Sequence, residues 1–350
     1  MNLDPIKIEG PVYSSNNPRN PQNNRPEALN TPRGGISEVD YDLPRTRMRN
    51  PDAIAVIIGN SHYQKTKAVN YAINDARSIR NYLLDVMGYQ EANIIHLEDA
   101  SYSDFKLIFG SKENLRGRLF NLIKPEKSDV FIFYAGHGAP GLKDQQAYFV
   151  PVECDPQYVE LTGFPADVIY NNLAQLPARS VVMVLDACFS GENIYDNISP
   201  IVIKSKGALG LKDGALLASS QADQVSTWYP EKGHSMFTYF FLKALHNQNA
   251  DANHDKQLSL MEIYTYIANQ TEGLPYYARR LHGIDQMPVL KGKIQKKYLW
   301  FMNNSNLMYM KAFYIVLLGL LLCIGSPAYA QEKLRRYPKA IQSRRTGKGI

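Results

Sequence analysis

The hydrophobic pattern changes period repeatedly along the 350 residues. Ile54 to Gly59, IAVIIG, is an unbroken apolar, β-branched run closed by glycine, the form taken by a strand buried on both faces of a parallel sheet. Ile73, Ala76, Ile79, Leu83 and Val86 then recur at steps of three and four, one face of a helix that Asn74 is expected to cap and Gly88 to stop. NIIHLED (93–99) reads as a second strand. A helical stretch follows around Leu115, Leu119 and Leu122, and DVFIFYAGHG (129–138) is a third strand ending in a glycine turn. Ile169, Leu173 and Leu176 mark a helix within 165–176, leading to a fourth strand, VVMVLDA (181–187). GALLASS (214–220) is a fifth, and SMFTYFFLKAL (235–245) a further helix. Strands alternating with helices imply an α/β fold around a parallel sheet.

Outside this body the pattern fails. Residues 1–50 are rich in Pro, Asn and Arg, show no periodicity and start without the apolar run of a secretory signal. They are expected to form a flexible arm that lays Val39 to Pro44 on the domain. After a domain expected over 51–292 comes a basic linker (293–311), an apolar segment (312–330) and a basic tail (331–350). The apolar run from Ala312 to Ile324, preceded by Lys311 and followed by Ala328-Tyr-Ala330, has the grammar of a signal peptide and is marginal as a membrane span. It is expected to be a C-terminal anchor or a junction with a neighbouring secreted protein, which puts the protein in the cytoplasm or at a membrane. A buried helix is the third alternative.

Charge sharpens this division. Lys and Arg total 39 against 33 Asp and Glu, a net +6 that suggests an acidic partner. Residues 331–350 alone hold seven basic residues and one acidic, whereas 51–290 hold 20 basic and 26 acidic. A nucleic-acid binder is expected to carry its basic patch on the globular body, so nucleic acid is excluded as a partner.

In open parallel sheets functional groups collect beyond the carboxyl ends of the strands. Strand three runs into Tyr134-Ala-Gly-His137-Gly138 and strand four into Asp186-Ala-Cys188-Phe-Ser-Gly191. If the two strands are neighbours, about 4.8 Å apart, a His and a Cys converge on one substrate atom. A thiol with an ordinary pKa near 8.5 needs an adjacent imidazole to become a nucleophile, and the same ring then protonates a leaving amine. The backbone N–H groups of Gly138 and Cys188 are candidates for an oxyanion hole. Asp186 would project on the same side of its strand, where a carboxylate favours a cationic side chain. Either His137 or Cys188 alone reads as well as a capping or packing residue; together, 51 residues apart at two strand ends, they form a catalytic pair. Cys154 and Cys323 have no such context, and no Cys/His spacing suggests a disulfide framework or a zinc site.

With IAVIIGN, INDA (73–76), YAGHG (134–138) and DACFSG (186–191), the sequence resembles the caspase-like cysteine peptidases, the clan of caspases, metacaspases, paracaspases, legumain and clostripain. The caspase motif itself places its His about 50 residues before the Cys, so the spacing matches a known pattern. DACFSG is closer to the metacaspase D-x-C-x-S-G form than to the caspase QAC form, with Phe189 where metacaspases often have His. The resemblance implies a caspase–hemoglobinase fold, a three-layer αβα sandwich with a mostly parallel central sheet. It implies a cysteine endopeptidase acting on protein or peptide substrates, with His137 and Cys188 as the dyad. Asp186, with Asp75, would line a pocket for Arg or Lys at P1, and Ser220, in ASSQADQVS (218–226), would border the substrate groove. Cleavage in the 192–212 linker, after Lys204, Lys206 or Lys212, is the family expectation; an uncut loop is the alternative.

No cofactor is required by this chemistry, but calcium is a candidate. DANHDKQLSLME (251–262) places oxygens at loop positions 1, 3, 5, 9 and 12 as Asp251, Asn253, Asp255, Ser259 and Glu262. Lys256 stands where that loop wants glycine, and a polar turn followed by a Ser259–Glu262 capping box accounts for the same residues. Against the peptidase reading stands a catalytically silent scaffold that binds a protein partner, or a membrane-tethered adaptor. Neither has a need for both dyad residues and their glycines. The pattern leaves the oligomeric state open.

Overall fold

The computed structural model describes residues 37–45, 49–141, 146–188, 213–221, 224–246, 250–293 and 300–301. In chain order these form β1 (Ile54–Gly59), α1 (Ala72–Asp85), β2 (Ile94–Glu98), α2 (Tyr102–Phe109), α3 (Arg118–Leu122), β3 (Asp129–Pro140) and β4 (Ala147–Phe149). There follow α4 (Val159–Thr162), β5 (Phe164–Pro165), α5 (Ala166–Ala174), β6 (Ser180–Cys188), β7 (Gly214–Ala218), β8 (Trp228–Tyr229), β9 (His234–Ser235) and α6 (Met236–His246). The last described elements are β10 (Gln257–Leu258), α7 (Leu260–Ile267), α8 (Leu274–His282), β11 (Val289–Lys293) and β12 (Trp300–Phe301).

The sheet runs β2-β1-β3-β6-β7-β11; the first five are parallel, and β11 closes the edge antiparallel to β7. Alternation sorts each strand's side chains into two layers. Ala55, Ile57, Phe131, Phe133, Val182, Val184 and Leu217 pack with α1, α6, α7 and α8. Ile54, Val56, Ile58, Val130, Ile132, Val181, Met183 and Leu185 pack with α2, α3 and α5 on the other face. This is the expected three-layer sandwich, and it explains the unbroken apolar runs, since both strand faces are covered.

Several local expectations are corrected. Asn74 does not cap α1: the helix starts at Ala72 behind Tyr71, which has a φ of 69°, and Asn74 Nδ2 donates instead to Gly233 O at 2.7 Å. The early start follows from packing, because a side chain at Gly59 would come 2.5 Å from the Ala72 carbonyl, so glycine lets strand and helix touch there. β3 does not turn at its glycines but continues to Pro140, pairing antiparallel with β4. The helical stretch near Leu115 shortens to α3, while α2 appears unheralded, held by a capping box between Ser101 and Asp104.

The segment Val39 to Pro44 does lie on the domain. Val39 is fully buried against the α1–α6 layer, Glu38 accepts from Lys232 Nζ at 2.6 Å, and Asp40 accepts from Ser78 Oγ at 2.6 Å. Among the described residues no helix is long and apolar enough to cross a membrane. Residues 1–36, the 192–212 linker, the 312–330 segment and the 331–350 tail lie outside the described residues.

Candidate functional site

β3 and β6 are neighbours, and their register pairs position 137 directly with position 188. The two strand ends singled out by their glycine-flanked His and Cys are therefore adjacent in the backbone.

Edge parity explains how His137 is held. Asn60 N donates to Ala135 O at 2.9 Å, so odd-numbered residues at this end of β3 turn their backbone groups toward the β1 edge. β1 ends at Gly59, opposite Ala135, and leaves the groups of His137 with no partner from that strand. Others take them: His137 N donates to Tyr63 Oη at 2.7 Å, while His137 O accepts from Val150 N at 3.1 Å and from Tyr134 Oη at 2.6 Å. The Tyr63 ring also lies 4.6 Å from the imidazole, centroid to centroid. At Gly136 a side chain would meet Tyr63 Oη at 2.6 Å and Tyr134 Oη at 2.7 Å, so the glycine makes room for the two hydroxyls.

The imidazole is oriented as well as placed. His137 Nε2 lies 2.8 Å from Lys67 O, and since a carbonyl only accepts, the ring donates from Nε2. In the neutral ring that leaves Nδ1 as the basic nitrogen. By the same parity, even-numbered Gly138 turns its N–H away from β4 and toward the β6 edge, where Cys188 ends its strand.

Asp186 and Asp75 are brought into one buried cluster from β6 and α1. Asp186 Oδ2 accepts from Thr238 Oγ1 at 2.6 Å and Thr238 N at 3.1 Å, and burial, reinforced by the charge of Asp75, pushes its carboxyl up to about 7. Asp75 is fully buried and is already engaged by His234, whose Nδ1 stands 2.7 Å from Asp75 Oδ1. Burial raises Asp75, against the pull of that ring. The other ring nitrogen, His234 Nε2, lies 2.9 Å from Asp40 Oδ2. Burial opposes a charge on His234, but the hydrogen bonds with Asp40 and Asp75 carry its pKa up to about 9. Ser220 is buried and donates to Gln224 O at 3.3 Å, beside the pair formed by Ser219 and Ser226.

In the 251–262 loop, Asp251, Asn253 and Asp255 accept from backbone N–H groups of the loop itself. Asp251 accepts from Asp255 N and Lys256 N at 3.2 and 2.8 Å, Asn253 Oδ1 from Asp255 N at 2.8 Å, and Asp255 Oδ1 from Gln257 N at 2.8 Å. Ser259 and Glu262 form the capping box of α7. Among the described residues no group of three or more His, Cys, Asp or Glu side chains gathers to hold a metal, and Glu262 Oε1 is buried with no hydrogen-bond partner. Cys154 is a core thiol, buried beside Thr162 Oγ1 at 3.2 Å, and burial raises its pKa.

Five residues important to this arrangement carry no sequence signal of the kind that exposed His137. Tyr63 and Lys67 follow the carboxyl end of β1, where the strand-end rule points without choosing a residue. His234 and Thr238 flank and begin α6, and Asp40 lies in the arm; each reads in sequence as an isolated polar residue.

A family model described as Peptidase_C14: Caspase domain matches residues 52–299. Metacaspase-1 of Eremothecium gossypii is 25% identical over 166 residues, 44% of this chain and 35% of that protein. Metacaspase-6 of Arabidopsis thaliana is 33% identical over 86 residues, 24% of this chain and 23% of that protein. The chain thus spans about a third or less of the length of these curated relatives. A solved structure, caspase-1 from Spodoptera frugiperda, is similar with a TM-score of 0.48 at 10% identity, over 76% of this chain and 96% of its own.

Proposed function

The chain belongs to the caspase domain family, a family of cysteine peptidases, and from that premise we propose that it is an endopeptidase that cuts after Arg or Lys through Cys188 and His137. The observation that carries this reading is the direct pairing of positions 137 and 188 beside an imidazole whose Nε2 is already committed to Lys67 O.

In this mechanism His137 Nδ1 takes the Cys188 proton and the thiolate attacks the scissile carbonyl carbon. The oxygen of the tetrahedral intermediate faces the N–H groups of Gly138 and Cys188. As the C–N bond breaks, His137 returns the proton to the leaving amine, and a thioester joins the acyl half to Cys188. Water then attacks the thioester, giving its proton to His137, and the Cys188 thiol is restored as the carboxylic acid leaves. Asp186 supplies the negative charge for a basic P1 side chain, since Asp75 is occupied by His234.

The test is cleavage of fluorogenic peptides with Arg, Lys or Asp at P1 by the full chain, with and without calcium, beside Cys188→Ala. Activity on Arg and Lys that disappears in the variant is expected. Equal inertness of both proteins would leave the silent scaffold as the better reading, and cleavage after Asp alone would remove the role given to Asp186. A response to calcium would reopen the 251–262 loop as its site, with Glu262→Gln as the check.

A further inference from the structure

The buried cluster beneath the dyad contains an arrangement that the dyad chemistry does not use. His234 has no solvent exposure, and both of its ring nitrogens lie within hydrogen-bond distance of carboxylate oxygens, 2.7 Å to Asp75 and 2.9 Å to Asp40. With both carboxylates ionised, each only accepts, and the ring then donates from both nitrogens as a cation. Among the described residues the charged groups around it are Asp40 and Glu38 from the 37–45 segment, Asp75 from α1, Asp186 from β6 and Lys232 ahead of β9, with the phenols of Tyr71, Tyr82 and Tyr239 beside these carboxylates. Lys232 is paired with Glu38, and among the described residues His234 is the ring that faces both Asp40 and Asp75. Two buried carboxylates on neighbouring elements repel, and one of them takes a proton unless a cation stands between them and the rest of the cluster.

We propose that His234 is a positioning residue of the P1 pocket: clamped as a cation by Asp40, it takes up the charge of Asp75, so that Asp186 bears the negative charge that meets a basic P1 side chain. The role rests on the reading of Asp186 and Asp75 as lining that pocket. It makes the 37–45 segment part of substrate recognition, because that segment supplies one of the two carboxylates that hold the ring. The direction of charge supports it: Asp75 pushes the Asp186 carboxyl up and His234 draws it down.

The experiment uses the full chain and agmatine, a small guanidinium probe, by calorimetry across pH, with 15N-histidine NMR on the same protein. His234 is expected to be doubly protonated at about pH 7.5 in wild type, and Asp40→Asn to lower its titration by about one unit. Agmatine affinity is expected to rise with pH as Asp186 ionises. In His234→Gln that rise should move up by about one unit, a roughly tenfold loss at about pH 6 that closes by about pH 9. A neutral His234 in wild type at about pH 7.5 overturns the proposal; this result needs no variant to fold. So does a His234→Gln profile that is unchanged, or lowered equally at every pH, the mark of a structural defect alone. Wild type that does not bind agmatine overturns the pocket reading itself and this role with it, whereas binding with an unmoved profile overturns only the role of His234.

Discussion

Replacing Tyr63 by Phe removes one oxygen and leaves the ring whose centroid lies 4.6 Å from that of His137. The lost oxygen is the acceptor for His137 N at 2.7 Å, at the place where β1 has ended. A buried N–H left without a partner costs about 1–3 kcal/mol. With an m-value of about 3 kcal/mol/M, the urea midpoint should fall by roughly 0.3–1 M. The freed amide also loosens the backbone that carries the imidazole, and a displacement of about 1 Å at a reacting group costs as much as 100-fold, so kcat/KM on Arg peptides should drop about 10- to 100-fold. Tyr63→Ala, which removes the ring contact as well, should be more severe in both measurements. A Phe variant with wild-type midpoint and wild-type kcat/KM would refute the claim that this hydroxyl completes the strand edge at His137. An Ala variant no worse than Phe would refute the contribution of the ring.

Three further outcomes are expected. His234 has a pKa raised to about 9, so its stabilisation is full below its ordinary 6.5 and lost as pH rises through about 9; Asp186, raised to about 7, gives its contribution below 3.8 and loses it as pH rises through about 7. Tm should therefore fall between about pH 5 and pH 9, with the lower part of the slope missing in Asp186→Asn, and a Tm that rises over this range would contradict the assignment. Asn60→Ala removes a fully buried side chain that bonds Ala100 N at 2.8 Å, Val150 O at 3.2 Å and Ala100 O at 3.3 Å, and should cost about 2–4 kcal/mol in denaturant unfolding. Ser259→Ala removes the N-cap of α7, a loss of about 1 kcal/mol, read as a Tm lower by about 2–4 °C.

The sheet was legible because its strands are covered on both faces. Continuous runs such as IAVIIG and VVMVLDA have few alternatives, and the expected strand ends fall within a residue or two of those found. Helix starts were harder: Asn74 has the chemistry of a cap, but the close approach of Ala72 to Gly59 decides where α1 begins, and that is a tertiary fact. α2 escaped notice because its eight residues hold too few apolar positions to establish a period, although Ser101 and Asp104 mark its start. His137 stood out by its glycines and its distance from Cys188. The rest of the site is assembled from residues whose partners are 52 to 194 positions away, as Thr238 is from Asp186 and Asp40 from His234, and neither residue of such a pair carries a motif that points to the other.

The overhang of β3 beyond β1 also works as a ruler. Val130 to Ala135 are fixed in parity by the two cores, and His137 is reached by counting onward along the same strand. Side chains alternate with a period of two, so one residue inserted between Phe133 and His137 would swing the imidazole to the opposite layer, and two would restore its facing while carrying it about 7 Å further along. Changes of length are therefore far less tolerable in these few residues than in the loops on either side. What the fold protects here is a number of peptide units, and the identity of Gly136 matters through the space it leaves and its φ of 158°.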